Sequence, residues 1–183
     1  MSHDDSDARE RVERHRMEVA ASPASAAAHL NLGTSLLKLG LMAEAEAALR
    51  RALELAPELP EAQVNLGGIL LSRWDFRGCI ELNARAAATR PGFLQAHYNQ
   101  GLGHLYLGEA EAMVGCFRRV LELEPDHAGG HYHLAVGLLA LGDAAGAQHH
   151  CDVSVALGHT PQPDFLKALE KARGGSVPVM EIG

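Results

Sequence analysis

The chain has 183 residues, 47% of them hydrophobic but only 4% aromatic, and a formal charge of -7. An acidic balance without any Lys/Arg cluster excludes a general nucleic-acid binder, so no nucleic-acid partner is expected. Scarce aromatics beside abundant Ala, Leu and Gly favour close helix-to-helix packing over a β-sandwich.

Cys79, Cys116 and Cys151 form no C-x-x-C pair, and an odd count without a framework points to reduced thiols and a cytoplasmic location. The charged opening "MSHDDSDARERVERHRM" lacks the apolar segment of a secretory signal. No stretch approaches the roughly 20 apolar residues of a membrane span, so no membrane partner is expected.

Residues 1–25 read as a charged helix over 7–20 with a linker. Asp7-x-x-Glu10 forms a capping-box pattern, and Asp7–Arg11 and Glu10–Arg14 pairs lace the helix. From residue 26 the chain repeats. Pro23, Pro57, Pro91 and Pro125 stand 34 residues apart, and the next step lands on His159. The same slide aligns Gly33, Gly67, Gly101 and Ala135, and likewise Gly40, Trp74, Gly108 and Gly142. Ala45, Cys79, Met113 and Ala147 make another column. Four units follow, 26–59, 60–93, 94–127 and 128–159. Residues 160–173 read as a capping helix, in which Pro163 opens "PDFLKALEKA" and Phe165, Leu166 and Leu169 cover the last unit. Residues 174–183 read as a flexible tail, whose "VPVMEI" is itself apolar enough to enter a groove.

Each unit is a helical hairpin. Apolar and small residues recur at three- and four-residue steps, as at Leu32, Leu36 and Leu39, then Ala45, Leu49 and Ala52. Glycine ends the first helix, and proline after "LELAP" or "LELEP" forbids continuation of the second. One hairpin cannot bury its apolar face alone; stacked neighbours do so for each other.

This period and its leucine-glycine, alanine and proline spacing resemble the tetratricopeptide repeat. The resemblance implies an all-α, right-handed helical solenoid of four repeats with N- and C-terminal capping helices. It departs from the family where the second-helix aromatic is Phe117 in one unit but Leu49, Asn83 and Cys151 in the others, and where Met113 replaces a small residue.

In that family the first helices line a concave groove. Helical rotation then turns the sixth residue of each unit toward it: Asn31, Asn65, Asn99 and His133. An amide both donates and accepts, so such a column can hold an extended peptide backbone. The three asparagines resemble the ladder in the repeat domain of O-linked N-acetylglucosamine transferase, which His133 interrupts. Leu30, Val64, Tyr98 and Tyr132 flank the column on one side, with Leu37, Leu71 and Leu105 as a second apolar row and Tyr106 near the groove. Lys and Arg are missing from Leu30, Thr34, Gln95 and Asn99, so the carboxylate clamp of chaperone cofactors is not expected.

The reading is a non-catalytic interaction module that takes a protein or peptide partner with affinity on the order of micromolar. One alternative is a structural subunit that forms a homo-oligomer or scaffolds an assembly. Another is a metal- or cofactor-handling accessory built on His29, His97, His131, His104 and His133. No cofactor and no metal site are expected, because histidines two apart on a helix diverge and "HHC" at 149–151 cannot converge on one ion. No G-x-S-x-G, H-E-x-x-H or phosphate-cradling loop is present, so no enzyme is expected.

Overall fold

The computed structural model describes residues 3–174, with side chains from residue 7; the tail beyond Gly174 lies outside the described residues. These form helices and no strand: α1 His3–Ala21, α2 Ala26–Lys38, α3 Met42–Leu55, α4 Pro60–Ser72, α5 Phe76–Thr89, α6 Leu94–Leu107, α7 Ala110–Leu123, α8 Ala128–Ala140, α9 Ala144–Ala156 and α10 Pro163–Gly174. The chain divides into two compact units, Met1–Asn99 and Gln100–Gly183.

In the first unit α1 packs on α2, α2 on α3, α3 on α4 and α4 on α5. Leu36, Ala45, Leu49, Ala52, Ala62, Leu66 and Ile69 form its main core, closed at the N-terminal side by Val12 of α1. Val12 is the buried apolar contact of a largely polar helix, and Arg16 ties that helix to α3 by bonding Glu44 at 2.6 Å. In the second unit α7 packs on α8, α8 on α9, and α10 on both α8 and α9. Phe165 and Leu169 are the buried face of α10, whereas Leu166 is exposed.

The 34-residue columns have direct packing causes. A Cβ at Gly33 would meet Leu49 at 2.7 Å, one at Gly67 would meet Asn83 at 2.2 Å, and one at Gly101 would meet Phe117 at 2.8 Å. The missing methyl lets the second helix of each hairpin seat its side chain against the first. Asn83 is the odd member. It is fully buried, its Nδ2 donates to Cys79 O at 2.8 Å, and its Oδ1 finds no hydrogen-bond partner among the described residues. A buried oxygen left without a partner costs about 1–3 kcal/mol.

Helix ends follow the sequence closely. Ser25, Asp75, His127 and Asp143 cap α2, α5, α8 and α9 by accepting the backbone N–H three residues on. The turns inside three hairpins place Gly40, Gly108 and Gly142 at φ 73°, 71° and 83°. Trp74 takes the same left-handed conformation at φ 65°, a geometry that costs a side-chain-bearing residue roughly 1 kcal/mol.

Candidate peptide-binding furrow

Two adjoining cavities run along the first helices of the first unit. One, of about 320 Å³, is lined by Leu30, Asn31, Thr34 and Lys38 of α2, Asn65 of α4 and Phe93, and is walled by Arg11 and His15 of α1. The other, of about 420 Å³, is lined by Leu37, Met42, Val64, Asn65, Gly68, Gln95 and Asn99. Asn65 borders both, so the two form one furrow across α2, α4 and the start of α6.

The three expected amides are presented differently. Asn31 is exposed on the furrow rim. Asn65 is half-buried, and its Nδ2 donates to Thr34 Oγ1 at 3.1 Å. Asn99 is only 7% exposed, and its Oδ1 accepts from Gln95 Nε2 at 2.7 Å. Its Nδ2 lies near Gly68, 3.8 Å from where a Cβ there would stand. Asn31 and Asn65 are therefore the amides most open to a ligand, while Asn99 forms part of the floor.

Apolar members divide in the same way. Leu30, Leu37 and Val64 line the furrow, and Val64 also packs with Ala86 and Ala96. Leu71 and Tyr98 are half-buried and line neither cavity.

In the second unit Leu105 is half-buried and Tyr106 is 56% exposed. Tyr132 and His133, expected in a groove wall, are held in packing instead. Tyr132 is 8% exposed, lying 4.5 Å from the His159 ring and edge-on to Phe165 of α10 at 5.4 Å. His133 stacks on Phe117 at 5.0 Å, and burial pushes its pKa down to about 4, helped by His159 and His127. The capping helix covers Tyr132, a contact that no hydrophobic period in α8 alone reveals.

The histidine column has a structural role. His29, His97 and His131 donate from Nε2 to the carbonyls of Pro23, Pro91 and Pro125 at 3.0, 2.9 and 2.8 Å. Gln63 makes the equivalent bond to Pro57 at 2.7 Å. The column thus selects a donor that closes the loop before each first helix, which is why glutamine can replace histidine in it. Because a carbonyl only accepts, His131 Nε2 carries a proton; in the neutral imidazole its Nδ1 is then the acceptor of the 2.9 Å contact with His150 Nδ1. His104 is tied to Glu109 at 2.6 Å. Among the described residues no three His, Cys, Asp or Glu side chains converge as metal ligands.

Burial pushes the Cys79 and Cys116 thiols up to about 11 and that of Cys151 upward as well, which keeps them in the poorly nucleophilic protonated form. No helix among the described residues is long and apolar enough to cross a membrane.

Comparison with known proteins agrees with the helical-hairpin architecture. Tetratricopeptide repeat models match residues 26–59 and 94–127, so the chain carries repeats of this class in both segments. Solved structures show its fold to be that of the tetratricopeptide solenoids. A MamA crystal structure aligns with TM-score 0.74 at 18% identity, over 80% of this chain and 85% of that one. MamA from Desulfovibrio magneticus RS-1 gives 0.71 at 19% identity, over 92% and 88%. YrrB, described as a TPR protein with an unusual peptide-binding site, gives 0.73 at 18% identity, over 92% and 84%. No curated protein matches the chain by sequence.

Proposed function

We propose that this protein is a non-catalytic adaptor of the cytoplasm that holds an extended segment of a partner protein in the furrow of its first unit. The observation that carries this reading is the placement of Asn31 and Asn65 beside Leu30 and Phe93 in one cavity, with Asn99 and Val64 continuing it. Amides at successive first helices offer donors and acceptors to a peptide backbone, and the apolar walls take its side chains. The likeness of these asparagines to the ladder in the O-linked N-acetylglucosamine transferase repeat domain supports the same use. So does the peptide-binding site named for YrrB, a protein of the same fold.

The test is selection of displayed random octapeptides on the full chain. Asn31→Ala with Asn65→Ala should weaken binding of the selected peptides roughly five- to hundredfold, the loss of two hydrogen bonds at about 0.5–1.5 kcal/mol each. Far-ultraviolet circular dichroism should stay unchanged, because Asn31 is exposed and Asn65 is only half-buried. Undiminished affinity in the double variant would remove the furrow from consideration.

Self-association is the second reading. It is favoured by Leu41, Met42 and Trp74, large apolar side chains left exposed at or beside the hairpin turns of the first unit.

A further inference from the structure

The furrow carries a charge opposite to that of the molecule. Arg11 of α1 and Lys38 of the last turn of α2 line the same cavity as Asn31 and Asn65. Among the described residues neither has an ion-pair partner: the Asp7–Arg11 pair expected from the sequence is not formed, and ion pairs of α1 are made by Arg16 instead. The one carboxylate in that lining, Glu61, is already neutralised: Arg90 Nη2 bonds its Oε1 at 2.5 Å. That bond holds the Glu61 carboxyl below the usual carboxylate range. A ligand in the cavity therefore faces two uncompensated cations, two amides and the apolar sides of Leu30 and Phe93. The chain as a whole has a formal charge of -7, so this is a local reversal of its field.

We infer that the furrow selects extended peptides bearing a side-chain carboxylate, with Arg11 and Lys38 as the residues that set this specificity. The inference rests on the peptide-furrow reading above and adds the class of partner: an acidic segment, Asp or Glu flanked by aliphatic residues. The two cations line the cavity from separate helices, α1 and α2, and share it with the amides of Asn31 and Asn65. Lys38 is anchored on α2, and Arg11 is carried by a helix whose register on α2 is set by buried Val12 and by the 2.9 Å contact of His15 Nδ1 with Ser35 Oγ. In this arrangement α1 contributes to the site as well as closing the core. General attraction to a protein of negative charge would instead enrich basic peptides, so an acidic preference can arise only from a local feature.

The same octapeptide selection tests this on three proteins: the wild type, Arg11→Gln with Lys38→Gln, and Asn31→Ala with Asn65→Ala. Wild-type selections should concentrate Asp or Glu at one recurrent position. A selected peptide should bind about tenfold more tightly than its Glu-to-Gln analogue, with the gap closing as salt is raised. The Arg11→Gln, Lys38→Gln protein should still capture peptides but treat the two analogues alike, and Lys38→Glu should turn the preference toward basic peptides. Peptides captured without acidic bias, yet lost in the asparagine variant, overturn the charge inference and leave the furrow reading standing. An acidic bias that persists in the Arg11→Gln, Lys38→Gln protein also overturns it. If the wild type captures no peptide, both readings fall.

Discussion

Replacing Phe117 by alanine is expected to cost about 3–5 kcal/mol, the range for deleting a fully enclosed aromatic ring. The ring is 0% exposed, lies over Gly101 where a Cβ would stand 2.8 Å away, and stacks on His133 at 5.0 Å. Neighbours on α6 and α8 cannot collapse into the space without breaking the hairpin register that Gly101 permits. Phe117→Leu should lose under about 1.5 kcal/mol, because Leu49 occupies the corresponding place against Gly33. Urea unfolding followed by circular dichroism measures both changes. A loss below about 1 kcal/mol for the alanine variant would mean that the ring is not enclosed as described.

Acid should weaken the protein through His133. Burial holds its imidazole neutral, with a folded pKa of about 4 against the ordinary 6.5, and His127 and His159 oppose its protonation further. A folded pKa below the unfolded one means that protons favour the unfolded chain. The full contribution is present above about pH 6.5 and is lost progressively as the pH falls toward 4. The loss amounts to about 3 kcal/mol at its acid limit. His150, whose pKa is also lowered by burial and by His131, acts in the same direction. The measurement is unfolding free energy at a series of pH values for wild type and His133→Asn, the residue that three first helices carry at this place. The variant should show a shallower decline between pH 6.5 and 4, and parallel curves would refute the assignment.

The helical fold is legible because its determinants are local and periodic. Proline after the second helix, glycine in the turn and a small residue at the crossing each act within one hairpin, and each recurs every 34 residues. The furrow is legible in part. Asn31 and Asn65 open onto it as helical rotation implies, but Asn99 is drawn down by Gln95, one turn away, through a bond that the column does not encode. Tyr132 is hidden by α10, an element outside the repeat, so its place in the period carries no sign of what covers it. The histidines resemble metal ligands in sequence because their proline partners lie six residues back across a loop, and only the turn geometry brings donor to carbonyl. Arg11 and Lys38 belong to different helices, and the packing of α1 on α2 alone makes them neighbours of one cavity.

Trp74 is the chain's single tryptophan and is 74% exposed in a turn, edge-on to Phe76 at 5.9 Å. Its fluorescence therefore begins in a hydrated state and has little room to shift red when the chain unfolds. A molecule settling over that turn would move the emission to the blue, so the indole serves as a built-in optical reporter of contact at this edge and reads poorly on the integrity of the interior.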